Sequence, residues 1–313
     1  MKYYNITQIK ESGTYFRNDT VYIKVRITDA EEGTPDDPSE VSIEVIDPCG
    51  NDYVSLTAMS KDATGEYYYE FDLDDDIPFG LYDVNVITFT HNQTQKFRIV
   101  VFPFDICART REILSAYQQN DISDYKLALI AWHSYKTVLN EIYDLHWEER
   151  PKCNPTDGSW FDGTNKTFQL RSKYIADYNG DGEITGEGEI TCGSDISFYY
   201  IDNDRLRYNG HVNVVDADNG IVQLLTDTDD AVPNTMQRAY VSYYTRSEYY
   251  DETIMHEAVA YLTAYKVAMT YKSLNSATMA DIQTNRQLEA KIFKDKYEEL
   301  IGMIGFNAIG CGK

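Results

Sequence analysis

The residues best suited to binding an ion lie between positions 177 and 183, in the sequence Asp-Tyr-Asn-Gly-Asp-Gly-Glu. Oxygen-bearing side chains stand at alternate positions, and Gly182 permits the sharp turn that brings them round a single cation. Oxygen atoms are the ligands that Ca²⁺ prefers. The spacing therefore indicates a candidate calcium loop, and the same residues also fit a polar Asn-Gly/Asp-Gly turn without any ion.

This segment resembles the calcium loops of EF-hand and dockerin proteins over seven positions. The resemblance implies a structural Ca²⁺ held by the side chains of Asp177, Asn179 and Asp181, by the carbonyl of Glu183, and by Thr185 through water. The chain departs from the family at the twelfth position, which is Gly188 instead of a bidentate acid, and no exiting helix is expected. The calcium loop and the plain turn both remain open.

The histidines do not form a catalytic zinc motif. His256 and Glu257 begin like the metalloprotease helix motif, but Ala260 stands where the second imidazole is needed, which excludes that class. His133 and His146 lie thirteen residues apart on one predicted helix, so they do not share a ligand face. We expect surface or core imidazoles at both positions.

Other catalytic signatures are missing from the sequence. We find no nucleophile elbow, phosphate-binding loop or dinucleotide fingerprint. The five cysteines form no CxxC pair and are odd in number, so neither a zinc site nor a disulfide framework is expected. The sequence predicts a protein that is not an enzyme, with an unrecognised hydrolase as the remaining catalytic alternative.

Composition limits the partners further. The 313 residues include 28 basic and 51 acidic side chains, for a net charge of −23. Wrapping nucleic acid requires clustered Lys and Arg, so this charge argues against it. No apolar run reaches the roughly 20 residues of a membrane helix, and the N-terminal sequence lacks signal-peptide features. We expect a soluble protein made in the cytoplasm.

The first hundred residues alternate apolar and polar side chains with the period of strands. Examples are Val21 to Ile27, Val41 to Val45, Tyr67 to Phe71 and Tyr82 to Val86, with turn sequences between them. Six or seven short strands at this spacing predict a β-sandwich over residues 1–104.

The stretch TGEYYYEFDLDDDIPFGLYDVNV resembles the second half of bacterial and viral immunoglobulin-like modules. In those modules an aromatic strand, an acidic loop and Gly-x-Tyr precede the next strand, as Gly80 and Tyr82 do here. The Cys…Trp…Cys signature of antibody domains is absent. The resemblance implies an Ig-like domain that serves as a spacer or decoration, or that binds a carbohydrate or host partner.

The period becomes helical near Asp105 and defines a second domain over residues 105–313. We predict helices at about 106–118, 123–146, 251–273 and 278–304, with a strand-rich insertion at 151–250. The fold class is therefore multidomain α+β: an N-terminal Ig-like β-sandwich followed by a helical domain with a β-hairpin insertion.

The order of elements after residue 105 resembles that of the head–tail adaptor (connector) proteins of tailed viruses. The segments that carry the resemblance are, in chain order, DISDYKLALIAWHSYKTVLNEIYDLHW, VNVVDADNGIVQL with RAYVSYYT, and DETIMHEAVAYLTAYKVAMTY. The resemblance spans roughly residues 106–304. It implies a ring, usually twelvefold, beneath the portal protein and next to other neck and tail proteins, with DNA passing through the lumen. An acidic lumen wall would repel that DNA.

These observations predict a structural virion protein located at the neck, with the Ig-like domain outside. The alternative is a calcium-binding, surface-associated protein that uses the Ig-like domain to hold a glycan or another partner. Neither interpretation includes a membrane-spanning segment.

Overall fold

The computed structural model describes residues 3–9, 14–74, 77–89, 93–102, 104–115, 122–152, 163–178, 184–187, 194–202, 204–225, 238–270 and 279–305. Within these ranges the chain is mixed α+β, as predicted, and it is strand-rich, with several sheets. None of the helices in these ranges combines the length and apolar character needed to span a membrane.

The strands and helices follow the chain in this order: β1 (Tyr4–Gln8), β2 (Thr14–Tyr15), β3 (Thr20–Asp29), β4 (Val41–Ile46), β5 (Asp52–Ala58), β6 (Ser60–Ala63), β7 (Glu66–Asp72), β8 (Gly80–Thr88), β9 (Gln93–Val101), α1 (Ile106–Ser115), α2 (Asp124–Ile142), β10 (Tyr143–Glu149), β11 (Thr167–Gln169), β12 (Thr185–Glu187), β13 (Ile196–Ile201), β14 (Arg207–Asp216), β15 (Ile221–Leu225), β16 (Arg238–Arg246), α3 (Glu252–Thr270) and α4 (Met279–Ile304).

The N-terminal strands form two sheets. One has the order β1-β3-β7-β6 and the other the order β2-β9-β8-β4-β5. Neighbours are antiparallel except for β2, which runs parallel to β9. The chain passes from the second sheet to the first through a single residue, Met59, which is buried between β5 and β6.

Alternate residues of these strands fill a common core. Val21, Ile23 and Val25 of β3 are fully buried while the residues between them point outward, which is the two-residue period of a half-buried strand. Tyr53 of β5 lies edge-on to Phe71 of β7, with ring centroids 6.0 Å apart, and so connects the two sheets. The core is therefore the layer between two sheets packed face to face.

A tyrosine fixes the turn that leads into β8. Tyr82 is fully buried, and its hydroxyl donates a hydrogen bond of 2.8 Å to the carbonyl of Pro78. Gly80 precedes it with φ 153°, and a Cβ at this position would clash with Pro48. Only glycine accommodates both the backbone angle and the close approach.

The second half of the chain forms a seven-stranded sheet. Six strands follow the order β10-β16-β13-β14-β15-β11, and β12 pairs with β14. Its core cluster is aromatic and aliphatic, with Phe168, Phe198, Val241 and Tyr243 all fully buried. The predicted strands near 198–201, 211–215, 220–225 and 238–244 all lie within this sheet.

Helix α2 ends earlier than predicted. The helical pattern predicts a helix to position 146, whereas α2 stops at Ile142 and the next residue, Tyr143, already begins β10. The reason is pairing with a distant strand, because β10 is antiparallel to β16 with His146 opposite Tyr243. The strand-rich region therefore begins at 143 instead of 151.

The chain divides into two compact units. The first comprises Met1–Tyr135 with Val259–Asp295, and the second comprises Lys136–Ala258 with Lys296–Lys313. Within the first unit, Trp132 of α2 lies edge-on to Phe102 at 6.0 Å. The domain boundary between 104 and 105 rests on a change of sequence period and stays a prediction.

We expect Asp37→Asn to lower the unfolding midpoint by roughly 2 °C at pH 7. The carboxylate accepts from the Gly65 amide at 2.9 Å and pairs with Lys61 at 2.7 Å, and these contacts hold its pKa below the usual range. This contribution is complete above the ordinary carboxyl pKa and is lost as pH falls through the lowered one. Thermal unfolding between pH 7 and pH 3 should therefore show the two proteins converging at the acidic end.

Asp52→Asn, which removes an exposed charge from β5, is the matched control. An equal loss of stability in both variants, or a difference that does not change with pH, would contradict this role of Asp37.

Candidate metal centre

The structure describes two of the five predicted calcium ligands. Asp177 is half-buried, and Thr185 is the first residue of β12. Asn179, Asp181 and Glu183 lie outside the described residues. Among the residues that are described, no group of three or more His, Cys, Asp or Glu side chains could hold a metal ion. The calcium loop stays a prediction.

The two ends of the candidate loop are joined by a carboxylate that sequence reasoning missed. Asp195 is only 1% exposed, and its Oδ1 accepts a hydrogen bond of 2.8 Å from the amide of Tyr178. Its own amide donates to the carbonyl of Thr185 at 3.1 Å. Asp195 therefore fixes the start and the end of the loop from a position just before β13. Because this contact is made at a distance of 17 residues, no local pattern could have identified it.

The aromatic ring of Tyr178 also holds the start of the loop. It stacks on Tyr244 of β16 with centroids 4.1 Å apart and planes 8° apart. The ammonium of Lys136 lies 4.8 Å from the centre of the Tyr178 ring, and the Tyr178 hydroxyl donates to Asn140 at 3.3 Å. Burial raises the pKa of Tyr244, and the negative charge of Asp195 raises it further. Both phenols are therefore neutral and serve as rigid packing groups near neutral pH.

Gly186 allows β12 to approach β13 at the other end of the loop. A Cβ on this residue would overlap the carbonyl oxygen of Ile196 and would lie 2.7 Å from the Ser194 hydroxyl. Glycine is required here because two main chains are in close contact. This residue, like Asp195, positions the loop without contributing a side-chain ligand.

His146 belongs to a structural network at the edge of the seven-stranded sheet. Its two ring nitrogens lie 3.0 Å from a carboxylate oxygen of Glu149 and 3.0 Å from the Thr245 hydroxyl, and its ring stacks on Tyr243 at 5.0 Å. The Tyr243 hydroxyl donates to Glu149 at 2.9 Å, and burial raises the pKa of Tyr243 to about 12. The side chains satisfy one another, as we expect of a packed network.

The remaining histidine of interest lies on α3. Burial lowers the pKa of His256 to about 4, although the nearby Asp251 acts in the opposite direction. The ring nitrogen lies 3.5 Å from Glu252, one turn earlier in the helix. An imidazole in this environment is neutral at pH 7, and Ala260 occupies the position of the missing zinc ligand.

No family model and no curated protein matches the chain. Among solved structures, the chain is similar to Salmonella alpha-2-macroglobulin (12% identity, 78% of this chain and 14% of that chain, TM-score 0.29). The elastase-activated Escherichia coli alpha-2-macroglobulin gives 13% identity over 79% of this chain and 17% of that chain, with TM-score 0.30. A Listeria innocua beta-glucosidase gives 12% identity over 32% and 16%, with TM-score 0.23.

The chain spans less than a fifth of the length of each of these structures. TM-scores this low carry no argument about the fold or function of this chain.

If the loop holds calcium, added Ca²⁺ should raise the unfolding midpoint of the native chain, and Asp181→Ala should abolish that increase. Thermal unfolding with 1 mM CaCl₂ and with chelator measures the effect. Asp204→Ala, an exposed acid in another turn, is the matched control and should keep the calcium response. If chelator changes neither the native chain nor Asp181→Ala, the segment is only a turn.

We expect Gly186→Ala to destabilise the second unit strongly, by an amount on the order of 2 kcal/mol, because the new methyl group overlaps the Ile196 carbonyl. Chemical denaturation followed by tyrosine fluorescence measures the change. Gly302→Ala is the control, since a Cβ there meets nothing within 4 Å, and alanine favours the helix. Equal stability of the two variants would contradict the close approach of β12 and β13.

Proposed function

We propose that the chain is a non-enzymatic structural protein of a tailed virus, a head–tail adaptor that forms a ring beneath the portal. In this proposal DNA passes through the lumen without specific contacts, and the N-terminal domain faces outward. The assembled protein is located in the neck of the virion.

Two exposed apolar surfaces support this proposal, one on a strand and the other on a helix. On strand β10, Leu145 is 42% and Trp147 is 63% exposed. On helix α4, Leu288 is 59% and Ile292 is 44% exposed, one helical turn apart. A closed ring of identical subunits is held by a heterologous interface, so each subunit must offer two unlike faces. A strand edge and a helix face meet that requirement.

The backbone of β10 favours an interaction role for Trp147. The pairing with β16 shifts register between His146 and Glu149, and Glu148 has φ 51°, an angle that non-glycine residues seldom adopt. The amide of Glu148 donates to the Ser242 hydroxyl at 2.9 Å, which holds this bulge in place. Bulges at a sheet edge redirect side chains, and here the redirected residue is an exposed tryptophan.

The order of elements after residue 105 supports the adaptor proposal. Two helices, a sheet with a long hairpin formed by β14 and β15, and two further helices follow one another, as the resemblance implies. The net charge of −23 is also suitable for a lumen that DNA must cross without adhering.

We infer that the N-terminal sandwich is an Ig-like domain. In support, the order β1-β3-β7-β6 corresponds to strands A-B-E-D, and β9-β8-β4-β5 corresponds to G-F-C-C′. The hydrogen bond from Tyr82 to the carbonyl of Pro78 has the geometry of the tyrosine corner that such domains carry near strand F. A domain of this type outside the ring would act as a decoration or spacer.

We expect the double variant Leu145→Ser/Trp147→Ser to reduce ring formation at least tenfold, because it removes the exposed apolar side chains of β10. Mass photometry and negative-stain microscopy, with and without the portal ring, measure the assembled fraction. Leu206→Ser, at a 56% exposed leucine away from β10, is the control and should assemble normally. Absence of the chain from purified virions, or rings that form equally well in the double variant, would contradict the proposal.

A further inference from the structure

The outer face of the sheet β1-β3-β7-β6 carries a stacked pair of aromatic rings, of which Tyr22 is exposed and Tyr68 is half-buried. Tyr22 and Tyr68 stack with centroids 5.7 Å apart and planes 27° apart, and Tyr22 is 40% exposed. Glu70 lies directly across from Tyr22 in the pairing of β3 with β7. Its side chain is exposed and makes no hydrogen bond or ion pair with any described part of the chain.

The cations of the same face are already engaged. The ammonium of Lys24 lies 2.6 Å from Asp62 and 2.9 Å from Glu66, and the guanidinium of Arg26 lies 2.6 Å from Glu66. The Lys24 pKa is raised and the Glu66 pKa is lowered by these hydrogen bonds, so Lys24 and Glu66 are charged together. What remains on this face is therefore an aromatic ring beside a carboxylate that pairs with no cation in the described part of the chain.

At another place in the chain, an arginine contacts both a tyrosine ring and a carboxylate. The guanidinium of Arg246 lies 5.0 Å from the centre of the Tyr250 ring and 3.9 Å from a carboxylate oxygen of Asp218. A guanidinium that lies over a ring face and near a carboxylate gains both cation–π and ionic attraction. Tyr22 with Glu70 offers the same ring and carboxylate without the arginine.

We propose that the face formed by Tyr22, Tyr68 and Glu70 docks an arginine-bearing basic segment of a partner protein. The guanidinium stacks on Tyr22 and pairs with Glu70, while Tyr68 supports the Tyr22 ring from the other side. The net charge of −23 attracts a basic segment over a distance, and the local pair then selects arginine over lysine because the planar group matches both surfaces. This proposal does not depend on ring formation.

Fluorescence anisotropy with the 313-residue chain tests the proposed docking of arginine. The probes are a fluorescein-labelled (Gly-Arg)₄ peptide and a labelled (Gly-Lys)₄ peptide. The buffer contains 150 mM NaCl, so that long-range attraction is screened. We expect Tyr22→Ser and Glu70→Gln each to raise the dissociation constant of the arginine peptide about tenfold, because each removes one cation–π or ionic contact. Tyr22→Phe keeps the ring face and should bind as the native chain does. The lysine peptide should bind several-fold more weakly than the arginine peptide.

Tyr3→Ser and Glu31→Gln are matched controls, since they change an exposed tyrosine and an exposed acid at other positions, and each should stay within twofold of the native chain. Thermal unfolding confirms that every variant is folded. Four outcomes overturn the proposal: no binding to the native chain, an equal loss in the controls, loss of binding in a correctly folded Tyr22→Phe, or displacement of the peptide by maltoheptaose, which would assign the face to a neutral glycan.

Discussion

The organisation of the second unit depends on the two-residue period of strand β16. Its alternate residues Ala239, Val241 and Tyr243 are buried in the core of the seven-stranded sheet. Tyr240 and Tyr244 face the opposite side, where Tyr240 stacks on Tyr199 and Tyr244 stacks on Tyr178. Since β16 is hydrogen-bonded on one side to β10 and on the other to β13, a slip of one residue would exchange both sets. The histidine network and the candidate loop are held in place by the same register.

The sequence was most informative where the determining interactions are local. Alternating apolar residues identified β3, β4 and β8, and a helical stripe identified α2. It was least informative where distant residues decide the outcome. Leu145 continues the spacing of the helical stripe, yet it lies in β10, because pairing with β16 provides hydrogen bonds that the last helical turn would have to find elsewhere.

In the candidate loop, too, local features could be predicted from the sequence and contacts between distant residues could not. The ion-binding pattern from Asp177 to Glu183 can be read directly from the sequence. The groups that close its ends cannot, because Asp195 lies 17 residues from Tyr178, whose amide it accepts from, and Gly186 is required only by the close approach of the Ile196 main chain. An aspartate before a strand and a glycine within a strand are common in any sequence. They acquire a role only when β12, β13 and β14 come together.

Several basic side chains of this acidic chain contact a carboxylate or an aromatic ring. On the N-terminal sheets, Lys96 and Arg98 both pair with Asp83, and other basic side chains make similar contacts across strands. In the second unit the guanidinium of Arg207 lies over the Tyr199 ring at 4.0 Å. Pairs this exposed contribute little free energy of unfolding individually. Their effect on the surface is to place each of these cations beside a carboxylate or a ring face.

The direct passage from Ile142 of α2 to Tyr143 of β10 has a mechanical consequence. A flexible connecting loop would absorb a small displacement of either element. No loop separates them here, so a rotation or axial shift of the helix must be taken up by the strand itself, and first by its bulge at Glu148. The exposed Trp147 lies on this strand, so its position is tied directly to the C-terminal turn of the helix.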